Sequence, residues 1–370
     1  MLGATHGAAG DAGMTREHFA RGGLRAFEIL ALETVSETSS NVSIGDLNGD
    51  GHPDIVLVKG RHWRVPSKVL FGDGRGNFTP GLPLPSKATK SYSAALVDMT
   101  RNGHLDIVLS NDQPDRKLVL LNDGRGTFRI GGTYGDPRWE TRTAAVADLN
   151  GDGFPDIAVA NREMPSYVCF NDGKLHFDCR QLEDSPSAAT LVLADMDGDG
   201  AADVVYACRD ACQNLVYFND GKGGFGRRAP WGPSKSSIRA MTVADFDGDG
   251  RLDIAACPEK VGCFVYLNEG GGRFGSGILF EKPAPLPYSM VAGDLNGERP
   301  EILVGYVEAP GVVYFNDGTG KKFEPVAFGD GKGAIYGMAI GDLDGDGWPD
   351  VAVARSDAPS FVMFNRAVEK

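Results

Sequence analysis

Seven times along the chain, at steps of 47 to 52 residues, a short acidic stretch runs straight into an apolar one. The copies are DLNGDGHPDIVLV from Asp46, DMTRNGHLDIVLS from Asp98, DLNGDGFPDIAVA from Asp148, DMDGDGAADVVYA from Asp195, DFDGDGRLDIAAC from Asp245, DLNGERPEILVG from Asp294 and DLDGDGWPDVAVA from Asp342. A second signature follows in six of them: FGDGRGNF ending at Phe78, LNDGRGTF at Phe128, FNDGKLHF at Phe177, FNDGKGGF at Phe225, LNEGGGRF at Phe274 and FNDGTGKKF at Phe323. Asn-Asp-Gly between apolar runs marks a hairpin, because these residues tolerate the positive φ of a tight turn. Each unit therefore reads strand, acidic loop, strand, variable loop, strand, NDG turn, strand. A repeat of this period is one four-stranded antiparallel blade that must stack on its neighbours to bury its faces. The predicted fold is all-β, a seven-bladed β-propeller.

The last copy stops at Phe364-Asn365, after three strands. The missing strand is available in GGLRAFEIL, which places Phe27 in the register of Phe128 in GRGTFRI. The N-terminal segment is therefore expected to close the ring on the final blade and remove the sheet edges an open array would expose. The propeller domain is assigned to 24–366. Residues 1–23 lack the apolar core of a signal peptide and are set apart as a disordered N-terminal segment, with an export signal absent from this chain.

In DLNGDGHPD, oxygen-bearing side chains fall at positions 1, 3, 5 and 9, and a glycine follows position 5. Hard oxygen ligands on a tight loop suit Ca²⁺. An EF-hand needs a bidentate Glu at position 12, where the first copy has Leu57 inside a β-type run, so that reading fails. The predicted ligands are Asp46, Asn48, Asp50 and Asp54; Asp148, Asn150, Asp152 and Asp156; Asp195, Asp197, Asp199 and Asp203; Asp245, Asp247, Asp249 and Asp253; and Asp342, Asp344, Asp346 and Asp350. Copy two has Thr100 and Asn102 in place of carboxylates and is expected to bind weakly through Asp98, Asn102 and Asp106. Copy six is one residue short, lacks the turn glycine, and is expected to stay empty with Arg299 as a counter-charge. The net charge is −13, and the seven loops hold 23 of the 50 acidic residues. Five or six Ca²⁺ ions would bring −13 to about −3 to −1, so the acidity is read as metal ligation.

With these motifs the chain resembles the FG-GAP/VCBS repeats of integrin α-subunit heads and of many bacterial extracytoplasmic proteins. The resemblance spans roughly residues 25 to 365. It implies a seven-bladed propeller with structural Ca²⁺ in the acidic loops, far from any ligand, and says little of function, since one fold hosts many.

Six cysteines fall into close pairs, Cys169 with Cys179, Cys208 with Cys212 and Cys257 with Cys263, which suggests disulfides and a secreted or periplasmic location. The negative balance argues against a general nucleic-acid binder. No run approaches the 18 or more apolar residues of a membrane span. A monomer is expected.

A ligand site is expected on the face opposite the acidic loops. Six residues before each leading Asp lie the starts of the innermost strands, Ser40, Tyr92, Arg142, Ala189, Arg239, Tyr288 and Tyr336. These should ring the mouth of the central channel. The exits of the second strands should add Lys59, Asn111, Asn161, Arg162, Arg209, Glu259, Tyr306 and Arg355, with Arg61, His62, Trp63 and Arg64 from the loop KGRHWRVPSK. A cationic and phenolic ring of this kind attracts carboxylate, phosphate or polyol groups. For any one of these residues, packing between blades with the polar end snorkelling to water is the ordinary alternative. Two functions follow: a module that binds a small molecule, a glycan or a protein, or a lyase, dehydratase or cyclase in which Tyr92, Tyr288, Tyr336 or His62 moves a proton and Arg142 or Arg239 stabilises an oxyanion. Fungal seven-bladed lectins look related in architecture but repeat a Trp-Arg motif in every blade. Here Trp63, Trp139 and Trp231 stand alone, which favours one central site.

Overall fold

The apolar run that follows each acidic stretch is buried along its whole length. The second strands of the blades are Asp54–Lys59, Asp106–Asn111, Asp156–Asn161, Asp203–Cys208, Asp253–Pro258, Glu301–Tyr306 and Asp350–Ser356, and every residue in them is buried. A strand sandwiched between two neighbouring sheets has no solvent face, so it reads as a continuous apolar run. The computed structural model describes residues 16–19, 25–283 and 285–367. In it seven sheets of four or five strands stack around an axis, with two short two-stranded ribbons beside them. The core is correspondingly divided into layers between blades; one of them joins Val56, Val58 and Val69 of blade one to Ile107, Leu109 and Leu120 of blade two.

The inner strands crowd the axis and carry small side chains, as in the Thr-Ala-Ala-Val-Ala stretch of Thr141–Ala147. The limit is reached at Gly337, where an added Cβ would lie 2.6 Å from Asn41 Cα on the adjacent inner strand. No side chain fits there.

Ring closure follows the expected register. The last sheet runs Arg16–Phe19, Arg25–Ala31, Phe361–Ala367, Asp350–Ser356, Ala334–Gly341, so the N-terminal chain supplies the outer strands of blade seven. Phe27 faces Asn365, as Phe128 faces Asn122 in blade two. Arg16–Phe19 belongs to the segment set apart as 1–23; residues 1–15 and 20–23 of that segment, with residue 24, lie outside the described residues.

The NDG asparagines do more than turn the chain. Asn122 Nδ2 donates to Leu47 O of the preceding blade at 2.8 Å, and Asn219, Asn268, Asn316 and Asn365 repeat the contact to Leu149, Met196, Phe246 and Leu295 at 2.7–2.9 Å. Each ties its blade to the one before. The three cysteine pairs are disulfide bonds, Cys169–Cys179 across the outer hairpin of blade three and Cys208–Cys212 and Cys257–Cys263 across the variable loops of blades four and five. Such bonds belong to proteins of oxidising compartments. Among the described residues no helix is long and apolar enough to cross a membrane.

Candidate functional site

Each acidic loop is a turn bonded to its own first carboxylate. In the first copy Asp46 accepts from Gly49 N and Gly51 N at 2.8 and 2.9 Å, and Asp148, Asp195, Asp245 and Asp342 do the same in theirs. The ninth position is fully buried. Its two oxygens accept one backbone N–H from the acidic loop and one from the neighbouring hairpin, as Asp203 does from Met196 N at 2.9 Å and Asn219 N at 2.8 Å. Asp54, Asp106, Asp156, Asp253 and Asp350 repeat the pattern. Burial, reinforced by the loop carboxylates, pushes the carboxyls of Asp156, Asp203 and Asp253 up to about 6 and that of Asp350 up to about 7.

Three loops gather carboxylate oxygens within 4.8 Å of one another: Asp195, Asp197 and Asp199; Asp245, Asp247 and Asp253; and Asp342, Asp344 and Asp350. Asp197 Oδ1 is buried without a hydrogen-bond partner. Converging anionic oxygens, one of them unsatisfied, form a donor set that fits a hard divalent cation. In the first and third copies, Asn at position 3 donates to the carboxylate at position 5, Asn48 to Asp50 at 3.0 Å and Asn150 to Asp152 at 2.9 Å. In the second, Asp98 is bonded to Asn102 N and Gly103 N. Arg299 of the shortened sixth copy packs its guanidinium on Gly248 of blade five's acidic loop, so it serves the neighbouring loop.

The sixth copy carries Glu301 in place of the ninth Asp. Oε2 accepts from Leu295 N at 2.7 Å, while Oε1 is buried without a partner. Burial, with Asp294 nearby, raises the carboxyl to about 8. The folded chain thus keeps a proton that the unfolded chain releases near 4.5, and stability falls as pH rises between these values. Glu301→Gln is expected to match the parent at pH 5 and to exceed it by about 1–3 kcal/mol at pH 8.5. Urea unfolding at the two pH values checks this; equal slopes for both proteins would remove the buried proton from the account.

On the opposite face a cavity of about 340 Å³ opens on the axis. Ser40, Tyr92, Arg142, Ala189, Arg239, Tyr288 and Tyr336 all line it, as do His62, Arg162 and Arg209. The local cause is a β-bulge in every inner strand. Ser39 pairs with Lys59 and Asn41 with Val58, leaving Ser40 out of the ladder, and the same skip falls on Tyr92, Arg142, Ala189, Tyr288 and Tyr336. In blade five it spans Arg239 and Ala240. A bulged residue is freed from pairing and re-aimed. Seven bulges turn seven side chains towards the axis.

Several second-strand exits do not reach the cavity, because they are spent on their own loops. Lys59 is fully buried in ion pairs with Glu33 at 2.6 Å and Glu37 at 3.0 Å. Asn111 donates to Arg116 O, and Asn161 bridges Thr141 and Pro165 O. Arg355 bonds Pro359 O and Asp330, and Tyr306 pairs with Tyr314 at 2.9 Å. Trp63 is 70 % exposed outside the cavity, and Arg64 pairs with Asp115.

The expected cationic ring is corrected by carboxylates. Arg142 meets Asp112 and Glu140, both at 3.0 Å; Arg209 and Arg239 share Glu259; Arg162 pairs with Glu163. Arg61, which lines the cavity with the strand starts, crosses it instead to Tyr288 Oη at 2.7 Å and lies 3.6 Å from the ring centre of Tyr336. Tyr92 Oη stands 3.4 Å from His62 Nδ1. Burial raises the Tyr92 phenol, and burial with Arg61 and Arg142 lowers the His62 imidazole, so both are neutral at pH 7.

The fold and its acidic loops define a repeat propeller closed by its own N-terminal strand. A model of the FG-GAP-like repeat matches residues 46–109, 98–159, 195–256 and 298–353, more than half of the sequence. The chain belongs to the FG-GAP-like repeat family. Among solved structures it is similar to BBS1N in complex with ARL6DN soaked with mercury, at 9 % identity over 91 % of this chain and 95 % of that one, with a TM-score of 0.62. The same complex soaked with lead gives 10 % identity, 92 % and 96 % coverage and a TM-score of 0.63. These likenesses concern the fold alone. No curated protein matches the chain.

Proposed function

We propose that this chain is a secreted or periplasmic propeller, one domain over 24–366, stabilised by Ca²⁺ and binding a small anionic or polyol ligand, or a glycan end, in the axial cavity as a monomer. The observation that carries the reading is the convergence of seven bulged residues, five of them Tyr or Arg, on one cavity. Its volume of about 340 Å³ lies at the small end of ligand pockets. Ca²⁺ would be held by the acidic residues of copies one, three, four, five and seven, with a weak sixth site at Asp98, Asn102 and Asp106. Its contribution there is charge neutralisation of the loops, away from the cavity.

A lyase, dehydratase or cyclase is the second reading, favoured by the facing pair His62 and Tyr92, a neutral base beside a neutral acid. A thermal-shift panel of neutral sugars, uronic acids, sugar phosphates and aromatic acids tests both. At least one class is expected to stabilise the protein, and Tyr288→Phe, which removes the hydroxyl shared by Arg61 and Arg239, is expected to weaken that ligand about tenfold. Recovery of the ligand unchanged supports binding, recovery with an elimination product supports catalysis, and a silent panel would overturn the pocket.

A further inference from the structure

The arginines of the cavity differ in one respect. Arg142, Arg162, Arg209 and Arg239 each face a carboxylate, whereas among the described residues Arg61 has none. It is only 7 % exposed. Its surroundings are aromatic: the guanidinium carbon lies 3.6, 4.9 and 5.7 Å from the ring centres of Tyr336, Tyr288 and Tyr92. Burial works against the charge, which an arginine nonetheless keeps, here with three phenol faces around it. A buried cation held by aromatic faces and a phenol oxygen, with no carboxylate on its fork, keeps further N–H groups for an oxyanion.

Tyr288 is set beside it as a donor. Its oxygen accepts from Arg61 Nη2 at 2.7 Å and from Arg239 Nη1 at 2.8 Å, which uses both lone pairs and leaves the O–H to donate. Around the remaining wall Arg142, Arg162, Arg209 and Arg239 are neutralised by carboxylates that do not themselves line the cavity, and they stand with the hydroxyls of Tyr92, Thr143 and Thr190, donors and acceptors that vicinal hydroxyls satisfy.

We infer that the cavity takes a polyhydroxylated monocarboxylate of about one sugar ring, of the hexuronate class, with its carboxylate on Arg61 and Tyr288 and its hydroxyls on the neutralised arginines and the Tyr and Thr hydroxyls of the wall. The inference rests on the pocket reading above and adds to it the ligand's charge count. One unpaired cation selects one anionic group. A second carboxylate would meet only arginines already neutralised by Asp112, Glu140, Glu163 or Glu259.

Titration calorimetry of the full chain in Ca²⁺ with glucuronate, its neutral amide glucuronamide and the dicarboxylate glucarate tests the charge count. Glucuronate is expected to bind about tenfold or more tighter than glucuronamide, and glucarate no tighter than glucuronate. Arg61→Gln is expected to erase the preference for glucuronate over glucuronamide in a protein that still melts cooperatively. Glu259→Gln, which releases Arg209 and Arg239, is expected to shift preference towards glucarate. Equal binding of glucuronate and glucuronamide, or an Arg61→Gln protein that still discriminates, would overturn the inference and leave the pocket standing. Glucarate as the tighter ligand of the parent protein would overturn it too. Failure of all three probes to bind would overturn this inference, and the pocket reading falls with it if the wider panel is also silent.

Discussion

A chain lacking residues 1–31 is expected to lose the closed ring and to aggregate. Arg25–Ala31 pairs along the full length of Phe361–Ala367, seven residues against seven. Phe27 is fully buried against Leu303, Phe315, Val353 and Met363, in the layer between blades six and seven. Truncating that one ring to alanine should cost about 3–5 kcal/mol, since the cavity it leaves cannot collapse in a close-packed layer. Deleting the strand adds the loss of its backbone pairing and exposes the edge of Phe361–Ala367 to other chains. Light scattering after size exclusion should find oligomers or no soluble protein. A peptide of residues 24–33 added during refolding should restore the monomer. A truncated chain that stays monomeric and unfolds at the parent's urea midpoint would contradict closure by the N-terminal strand.

Removal of divalent cations is expected to have the next largest effect. Without an ion, Asp195, Asp197 and Asp199 in blade four, Asp245, Asp247 and Asp253 in blade five, and Asp342, Asp344 and Asp350 in blade seven hold mutually repelling oxygens within 4.8 Å. Arginines lean on the loops from outside, Arg227 on Asp197 and Arg366 on Asp344. With affinities of the extracellular kind, millimolar Ca²⁺ stabilises each site by about 1–2 kcal/mol, so five sites give on the order of 5–10 kcal/mol. EDTA should therefore lower the melting temperature strongly, and Asp195→Asn with Asp197→Asn should remove one ion from the titrated stoichiometry. A melting curve indifferent to EDTA, after exhaustive dialysis, would sink the metal reading for these loops.

Much of this molecule is local and repeated, and that part was legible. The acidic loops, the NDG hairpins and the buried second strands depend on contacts within a few residues or on a neighbouring copy of the same pattern. Their spacing therefore carries the information. The register of Phe27 on Asn365 could be read across more than three hundred residues for the same reason, since it repeats Phe128 on Asn122. The strand starts pointed to the cavity, and the seven residues expected at its mouth all line it.

What could not be read was the company those residues keep. Nothing near Lys59 in the sequence indicates that Glu33 and Glu37 enclose it, or that Asn111, Asn161 and Arg355 turn back onto their own loops. The bulges that free Tyr92, Arg142 or Tyr288 leave no mark in composition, because a skipped pair is a property of two strands together. Nor does the sequence separate Arg61 from the other arginines. Its partner Tyr288 lies 227 positions away, and Asp112 and Glu259, which pair with Arg142 and Arg209, come from adjoining blades. The amino-acid sequence by itself determined the blade, its sevenfold repetition and the acidic loops, since these rest on short-range backbone geometry and burial. Only closure of the ring decided that Arg142 and Arg209 meet carboxylates of adjoining blades while Arg61 meets phenols instead, since such pairing depends on distances between blades that no local pattern encodes.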